Sequence, residues 1–153
     1  MAQRIRINDG LSVDMGQPTR EALGRLAQEG FRAVVNLRMA GEQDQPLSPQ
    51  AEGEVVRQAG LAYVHISVAG AGWKPEQVNG FREELSKLPG PVLVHCASGK
   101  RSGAFAMLHV ASQEKLTGED TLVQAKKLGF DWVGPEPEGF IKRYMTTVGA
   151  NRL

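Results

Sequence analysis

The sequence predicts an α/β domain in which a mostly parallel central sheet is flanked by helices. Short apolar, β-branched runs at residues 31–37, 61–67 and 92–94 alternate with longer stretches whose apolar residues recur at helical spacing. The resulting order, β-α-β-α-β-α-β-loop-α-α-α, is that of strands crossing over through helices in one sheet. With 153 residues and 41% hydrophobic residues, the chain suffices for one domain, 1–153, with a substantial core. It shows no internal repeat, linker or low-complexity stretch.

Residues 1–17 hold a short alternation (Ile5, Ile7) and then Leu11, Val13 and Met15, which predict one or two edge strands. Thr19 is an N-cap for a helix with Ala22, Leu23, Leu26 and Ala27 on one face, stopped at Gly30. Residues 31–37 form a strand with Val34, Val35 and Leu37 in the core, and Arg38 follows at its end. Ser48-Pro49 opens a helix with Ala51, Val55, Val56 and Ala59 inward, and Gly60 ends it. The third strand, 61–67, contains His65, which reads as a packed or hydrogen-bonded side chain. Pro75 starts a helix carrying Val78, Phe81, Leu85 and Leu88. After Pro89-Gly90 comes the strand 92–94 and a loop, then a helix to about Lys115. Thr117 to Asp120 has capping-box spacing and opens a helix closed by Gly129. Phe130 to Glu138 reads as an irregular link, and Phe140, Ile141, Tyr144 and Val148 predict a last helix.

The chemistry concentrates at residues 91–103. The apolar strand ends at His95 and Cys96, a small turn follows (Ala97, Ser98, Gly99, Lys100), and Arg101 and Ser102 open an apolar helix. The first N–H groups of a helix lack intrahelical partners and, with the helix dipole, form an anion site. A thiol held there, beside Arg101, has its pKa drawn down below that of a free cysteine. The same N–H groups and the planar guanidinium can grip an oxyanion. A lone cysteine is by itself most often a small core hydrophobe; here its position at a strand end, before a Gly turn and an arginine, predicts a nucleophile.

The segment from His95 to Ser102 resembles the signature loop of the protein-tyrosine-phosphatase superfamily, nearest to the phosphatase-like domain of beta-lactamase-hydrolase-like proteins. Gly16-Gln17-Pro18-Thr19, Val35-Asn36-Leu37-Arg38 and Leu61-Ala62-Tyr63-Val64-His65-Ile66 fit the same layout, so the resemblance covers roughly residues 10–145. It implies a dual-specificity-phosphatase-like (cysteine phosphatase) fold. It also implies Cys96, Arg101 and Ser102 as catalytic residues and Ala97, Ser98, Gly99 and Lys100 as the anion-binding loop. Arg38, His95 and Trp73 are expected at the pocket rim, with Glu42 or Asp44 as further candidates there.

Two departures bear on the reaction. Phosphatases of that superfamily place five residues between Cys and Arg, whereas this chain has four, Ala97 to Lys100, the spacing of many rhodanese-like sulfurtransferases. Those phosphatases also use an aspartic acid from a loop after an earlier strand, and the corresponding residues 67–74 contain no acid. Without a general acid, expulsion of an alkoxide slows by about 10²–10⁴, whereas sulfite or a thiolate leaves without a proton. The first expectation is therefore a sulfurtransferase that forms a Cys96 persulfide from thiosulfate or glutathione persulfide. The alternatives are a phosphatase working through a cysteinyl-phosphate, with Glu42, Asp44 or Glu76 as the acid, and a non-catalytic anion-binding module.

The formal net charge of +1 argues against a nucleic-acid or membrane surface. The single cysteine excludes an internal resolving thiol, so an external thiol must discharge any persulfide. His65, His95 and His109 make no metal-ligand motif with it, and no nucleotide-binding fingerprint occurs; neither metal nor cofactor is expected. The amino terminus lacks the apolar core of a signal peptide and no run reaches membrane-spanning length, which predicts the cytoplasm. The expected substrate is a small anion: thiosulfate, a persulfide or a phosphate ester. The resemblance adds a metallohydrolase-like partner, fused or acting in trans.

Overall fold

A computed structural model describes residues 3–132 and 135–151. The elements are β1 (Arg4–Asn8), β2 (Leu11–Asp14), α1 (Arg20–Arg25), β3 (Ala33–Asn36), α2 (Pro49–Gln58), β4 (Ala62–His65), α3 (Pro75–Ser86), β5 (Val92–His95), α4 (Lys100–Glu114), α5 (Gly118–Leu128) and α6 (Pro135–Asn151). The strands make one five-stranded sheet in the order β1-β2-β5-β3-β4. All neighbours are parallel except the β1–β2 hairpin.

The α/β architecture is the one the pattern predicts, with local differences. Only β1 is an edge strand among the first residues. β2 is interior, because it pairs with β1 on one side and with β5 on the other, and all four of its residues are buried. β3 and β4 are shorter than their apolar runs, at 33–36 and 62–65. Helix α1 ends at Arg25 with Leu26 as its C-cap, so Ala27 lies in an exposed turn rather than on the buried face. The last helix begins at Pro135, inside the expected link, with a kink at Glu136.

Strand periodicity distributes the core between two faces. Ala33 and Val35 of β3 pack with Val92 and Val94 of β5 beneath α3, α4, α5 and α6. Val34 and Leu93 point the other way, onto Leu23 and Leu26 near α1 and Val56 of α2. Thr19, Ser48 and Thr117 each accept a backbone N–H three residues on, fixing the starts of α1, α2 and α5. Helix α4 is covered on nearly every side, with residues 101–108 all buried. Its first turn admits Phe130 closely: a Cβ on Gly103 would lie 2.7 Å from the Phe130 ring. No helix among the described residues is long and apolar enough to cross a membrane.

Candidate active site

The parallel strands β3 and β5 end side by side, and Leu37 N–H donates to His95 O at 2.9 Å across the gap. Ligands gather at such carboxyl ends in parallel sheets. Here β5 stops, and Cys96, Ala97 and Ser98 form a loop into α4. Gly99 is the N-cap at φ 91°, a left-handed conformation that suits glycine. That turn aims the first amides of α4 back at the thiol. Gly99 N–H donates to Cys96 Sγ at 3.2 Å and Ser102 N–H approaches it at 3.5 Å, while the Ser102 hydroxyl lies 3.3 Å away.

Cys96 is buried, and burial alone pushes its thiol pKa up. The hydrogen bonds from Ser102, the positive charge of Arg101 and the Ser98 amide together outweigh this, so the net shift is downward. This is the environment of an activated thiolate. Lys100 is exposed at the start of α4.

Arg101 is held from the opposite side. Its Nη1 donates to Glu42 Oε2 at 2.5 Å and to Val68 O at 2.8 Å, and its Nη2 donates to Glu42 Oε1 at 3.0 Å. These contacts engage both Nη atoms, and the guanidinium also interacts with the Cys96 thiol, which helps to raise its own pKa. Glu42 is gripped again by Arg38 Nε at 2.9 Å and by Met39 N–H at 2.7 Å. The bond to Arg101 is the chief reason that its carboxyl pKa falls to about 2, against the opposing effect of burial.

The three side chains expected at the rim are interior ones. Successive strand residues face opposite sides of a sheet. His95 and Cys96 therefore diverge: the thiol points toward α4, and the imidazole points toward α2, where Nε2 lies 2.6 Å from Glu52 Oε2. Both members of that pair are fully buried. Trp73 packs edge-on against Phe105 and Phe140, at centroid distances of 5.6 and 5.5 Å, and its indole N–H donates to Ala69 O. It stiffens the acid-free loop from inside the core and lines no rim. Arg38 is only 2% exposed. Besides Glu42 it holds Gln17 Oε1 at 3.0 Å and Gln43 O at 2.7 Å, so it folds the 39–44 loop that delivers Glu42. His65 supports it, with Nε2 at 2.5 Å from Arg38 O.

Glu76 is exposed in the first turn of α3, and Asp44 contributes only a backbone carbonyl to Arg38 at 3.4 Å. Gln17 and Glu52 play parts the sequence reading did not assign. Gln17 Nε2 donates to Glu52 Oε1 at 2.8 Å, joining His95, Glu52, Gln17, Arg38, Glu42 and Arg101 into one continuous chain of polar contacts. The available signal was Glu52 itself, a carboxylate four residues before Val56 on the buried face of α2. Among the described residues no group of three or more His, Cys, Asp or Glu is placed to hold a metal ion.

Comparison with known proteins agrees with this fold. Residues 6–113 match the family model of the beta-lactamase hydrolase-like protein, phosphatase-like domain. A beta-lactamase hydrolase-like protein of Xylella fastidiosa (strain Temecula1) is 32% identical over 125 residues, 82% of this chain and 28% of that protein. The chain thus spans little more than a quarter of the length of such curated relatives. Among solved structures, a candidate phosphatase from Shewanella putrefaciens CN-32 is 26% identical with a TM-score of 0.74, covering 98% of this chain and 91% of that one. PTPMT1 in complex with PI(5)P superposes with a TM-score of 0.79 over 98% of this chain and 99% of its own, at 16% identity, a likeness of fold.

Proposed function

The chain belongs to the phosphatase-like domain family of the beta-lactamase hydrolase-like proteins, and from that premise we propose that it transfers sulfur through Cys96. Its fold is that of the protein-tyrosine-phosphatase-like enzymes. In the proposed reaction the Cys96 thiolate attacks the outer sulfur of thiosulfate, or the sulfane sulfur of glutathione persulfide. A Cys96–S bond forms, the sulfur–sulfur bond of the donor breaks, and its electron pair leaves on sulfite or glutathione thiolate. The loop amides and Ser102 hold the sulfur, and Arg101 orients the anionic donor. An external thiol then takes the sulfur and returns Cys96 to thiolate.

The state of Glu42 carries this reading. It is the carboxylate that reaches Arg101, and both of its oxygens accept from Arg101 with Arg38 and the Met39 N–H as further donors, an arrangement that holds it ionised. The loop 67–74 supplies no acid either. A leaving alkoxide needs a proton, while sulfite and thiolates do not. The four-residue spacing between Cys96 and Arg101 favours the same choice.

A phosphatase reaction through a cysteinyl-phosphate is the second reading, favoured by the 26% identical candidate phosphatase. On this site it would serve esters with good leaving groups, such as aryl phosphates. The test sets thiosulfate:cyanide transfer beside aryl-phosphate hydrolysis on the same preparation and on Cys96→Ser. Cys96-dependent thiocyanate formation exceeding phosphate release supports sulfur transfer. Cys96-dependent phosphate release without thiocyanate overturns it in favour of the phosphatase, and loss of both signals leaves an anion-binding module. Cytoplasmic action beside a metallohydrolase-like partner completes the proposal.

A further inference from the structure

Gln17 belongs to the Gly16-Gln17-Pro18-Thr19 stretch, to which the proposed reaction gives no part. Its place is fixed from both sides. β2 ends at Asp14, buried Pro18 confines the residue before it to extended backbone, and Thr19 caps α1. The half-buried side chain then bridges two buried groups of opposite charge. Its Oε1 accepts from Arg38 Nη1 at 3.0 Å, and its Nε2 donates to Glu52 Oε1 at 2.8 Å and to Pro18 O at 3.1 Å.

A primary amide suits this place because one neutral group carries an acceptor for the guanidinium and donors for the carboxylate. Arg38 directs its Nε to Glu42 Oε1 at 2.9 Å, the oxygen that also accepts from Arg101 Nη2 at 3.0 Å. Two guanidinium groups thus share one carboxylate. The second carboxylate, Glu52, faces His95 Nε2 at 2.6 Å through its other oxygen. Among the described residues Arg38 makes no bond to Glu52, and its ion pair is with Glu42. In a buried site the attraction between opposite charges is strong, so direct contact with Glu52 would draw Arg38 away from the shared oxygen.

We propose that Gln17 is a positioning residue for anion binding at Arg101. Its amide separates Glu52 from Arg38 and keeps Arg38 on Glu42. Through the shared Glu42 oxygen, that contact holds the Arg101 guanidinium in place for the anion. Gln17 touches neither the thiol nor the substrate, and acts from the face of the sheet opposite Cys96, where His95 meets Glu52. The proposal deepens the sulfur-transfer reading and rests on it in one respect, that Arg101 orients the anionic donor.

Anion binding can be read apart from sulfur transfer. Sulfate has no sulfur to transfer, and its protection of Cys96 against iodoacetamide measures the Arg101 site alone. In Gln17→Met, which keeps the volume and removes both bonds, the half-protecting sulfate concentration should rise by roughly tenfold. The KM for thiosulfate should rise with it, while kcat and the pH midpoint of alkylation, lowered chiefly by Ser102, move little. In a Glu52→Gln background the same substitution should cost only about threefold, because the carboxylate that competes for Arg38 is gone. Gln17→Glu keeps an acceptor for Arg38 but adds a second negative charge beside it, and should also weaken sulfate binding. Native-like sulfate binding in either Gln17 variant overturns the proposal, as does an equal cost of Gln17→Met in both backgrounds. A fall of kcat and a shift of the alkylation midpoint as large as the loss of affinity would mark a purely structural role and overturn it too. So would a native chain that sulfate does not protect. If Cys96 takes no sulfur from thiosulfate while Gln17→Met still weakens sulfate protection, Gln17 keeps its role and the sulfur-transfer reading falls.

Discussion

Glu42 meets Arg101 fork to fork, with Nη1 2.5 Å from Oε2 and Nη2 3.0 Å from Oε1, so a carboxylate from the loop after β3 fixes the arginine that opens α4. The pairing holds the Arg101 guanidinium at one angle beside the Cys96 thiol. On the sulfur-transfer proposal Glu42 acts as a positioning residue, with no part in proton transfer.

Replacing it tests this division. In Glu42→Gln, Arg101 keeps one neutral partner and loses the charge-assisted pair, so the KM for thiosulfate should rise about tenfold or more while kcat changes less. A steep loss of kcat confined to alkyl-phosphate hydrolysis would instead mark Glu42 as a proton donor. The carboxylate's own contribution to stability is complete above its ordinary value of 4.5 and fades only as pH falls toward about 2. The clamp is therefore intact throughout the neutral range.

Ser102 is expected to set how readily Cys96 ionises. Ser102→Ala removes the hydroxyl 3.3 Å from Sγ, the strongest of the influences that lower the thiol's pKa. The pH midpoint for alkylation by iodoacetamide should move upward, and sulfur transfer at neutral pH should fall by roughly tenfold. An unchanged alkylation midpoint would remove Ser102 from the thiolate's support.

The buried pair of Glu52 and His95 should matter for stability before activity. Glu52→Ala leaves a buried imidazole without its carboxylate and frees Gln17 as well, a loss of about 3 kcal/mol by analogy with other broken buried pairs. For a domain of this size that lowers Tm by roughly 10 °C, measurable by calorimetry. A change below about 1 kcal/mol would show that the pair is dispensable.

His109 gives the fold an acid-sensitive point away from the site. Burial, aided by the charge of Arg82, lowers its pKa from 6.5 to about 4, and Arg82 Nε donates to its Nδ1 at 3.4 Å. The folded form thus binds its proton later than the unfolded chain does. The stabilisation is complete above pH 6.5 and is lost as pH falls to about 4. Because the ring is partly exposed, the expected loss is only about 1 kcal/mol. Urea titrations across that interval should show this slope in the native chain and not in His109→Gln.

The strand, loop and helix around Cys96 were legible because each signal is local: an apolar run, a Gly turn, then apolar residues at helical spacing. The rim was not. His95 adjoins Cys96 in sequence, yet strand alternation turns it to the other face, and its partner Glu52 is 43 residues away. The clamp on Arg101 spans 59 residues, and no local pattern announces a contact of that range. Trp73 could cap a pocket or fill a core on sequence grounds alone. The space between Phe105 and Phe140, which only tertiary packing creates, decides for the core. Glu52 does not stand out in the sequence because a carboxylate on a helix is ordinarily solvated, and its burial follows from a histidine contributed by a strand.

The most direct test of sulfur transfer through Cys96 is the intact mass of the protein after incubation with thiosulfate, measured beside Cys96→Ser. The native chain should gain one sulfur atom, removed by cyanide or by a thiol and absent from the variant. An unchanged mass, in a preparation whose Cys96 still reacts with iodoacetamide and still releases phosphate from an aryl ester, would contradict it.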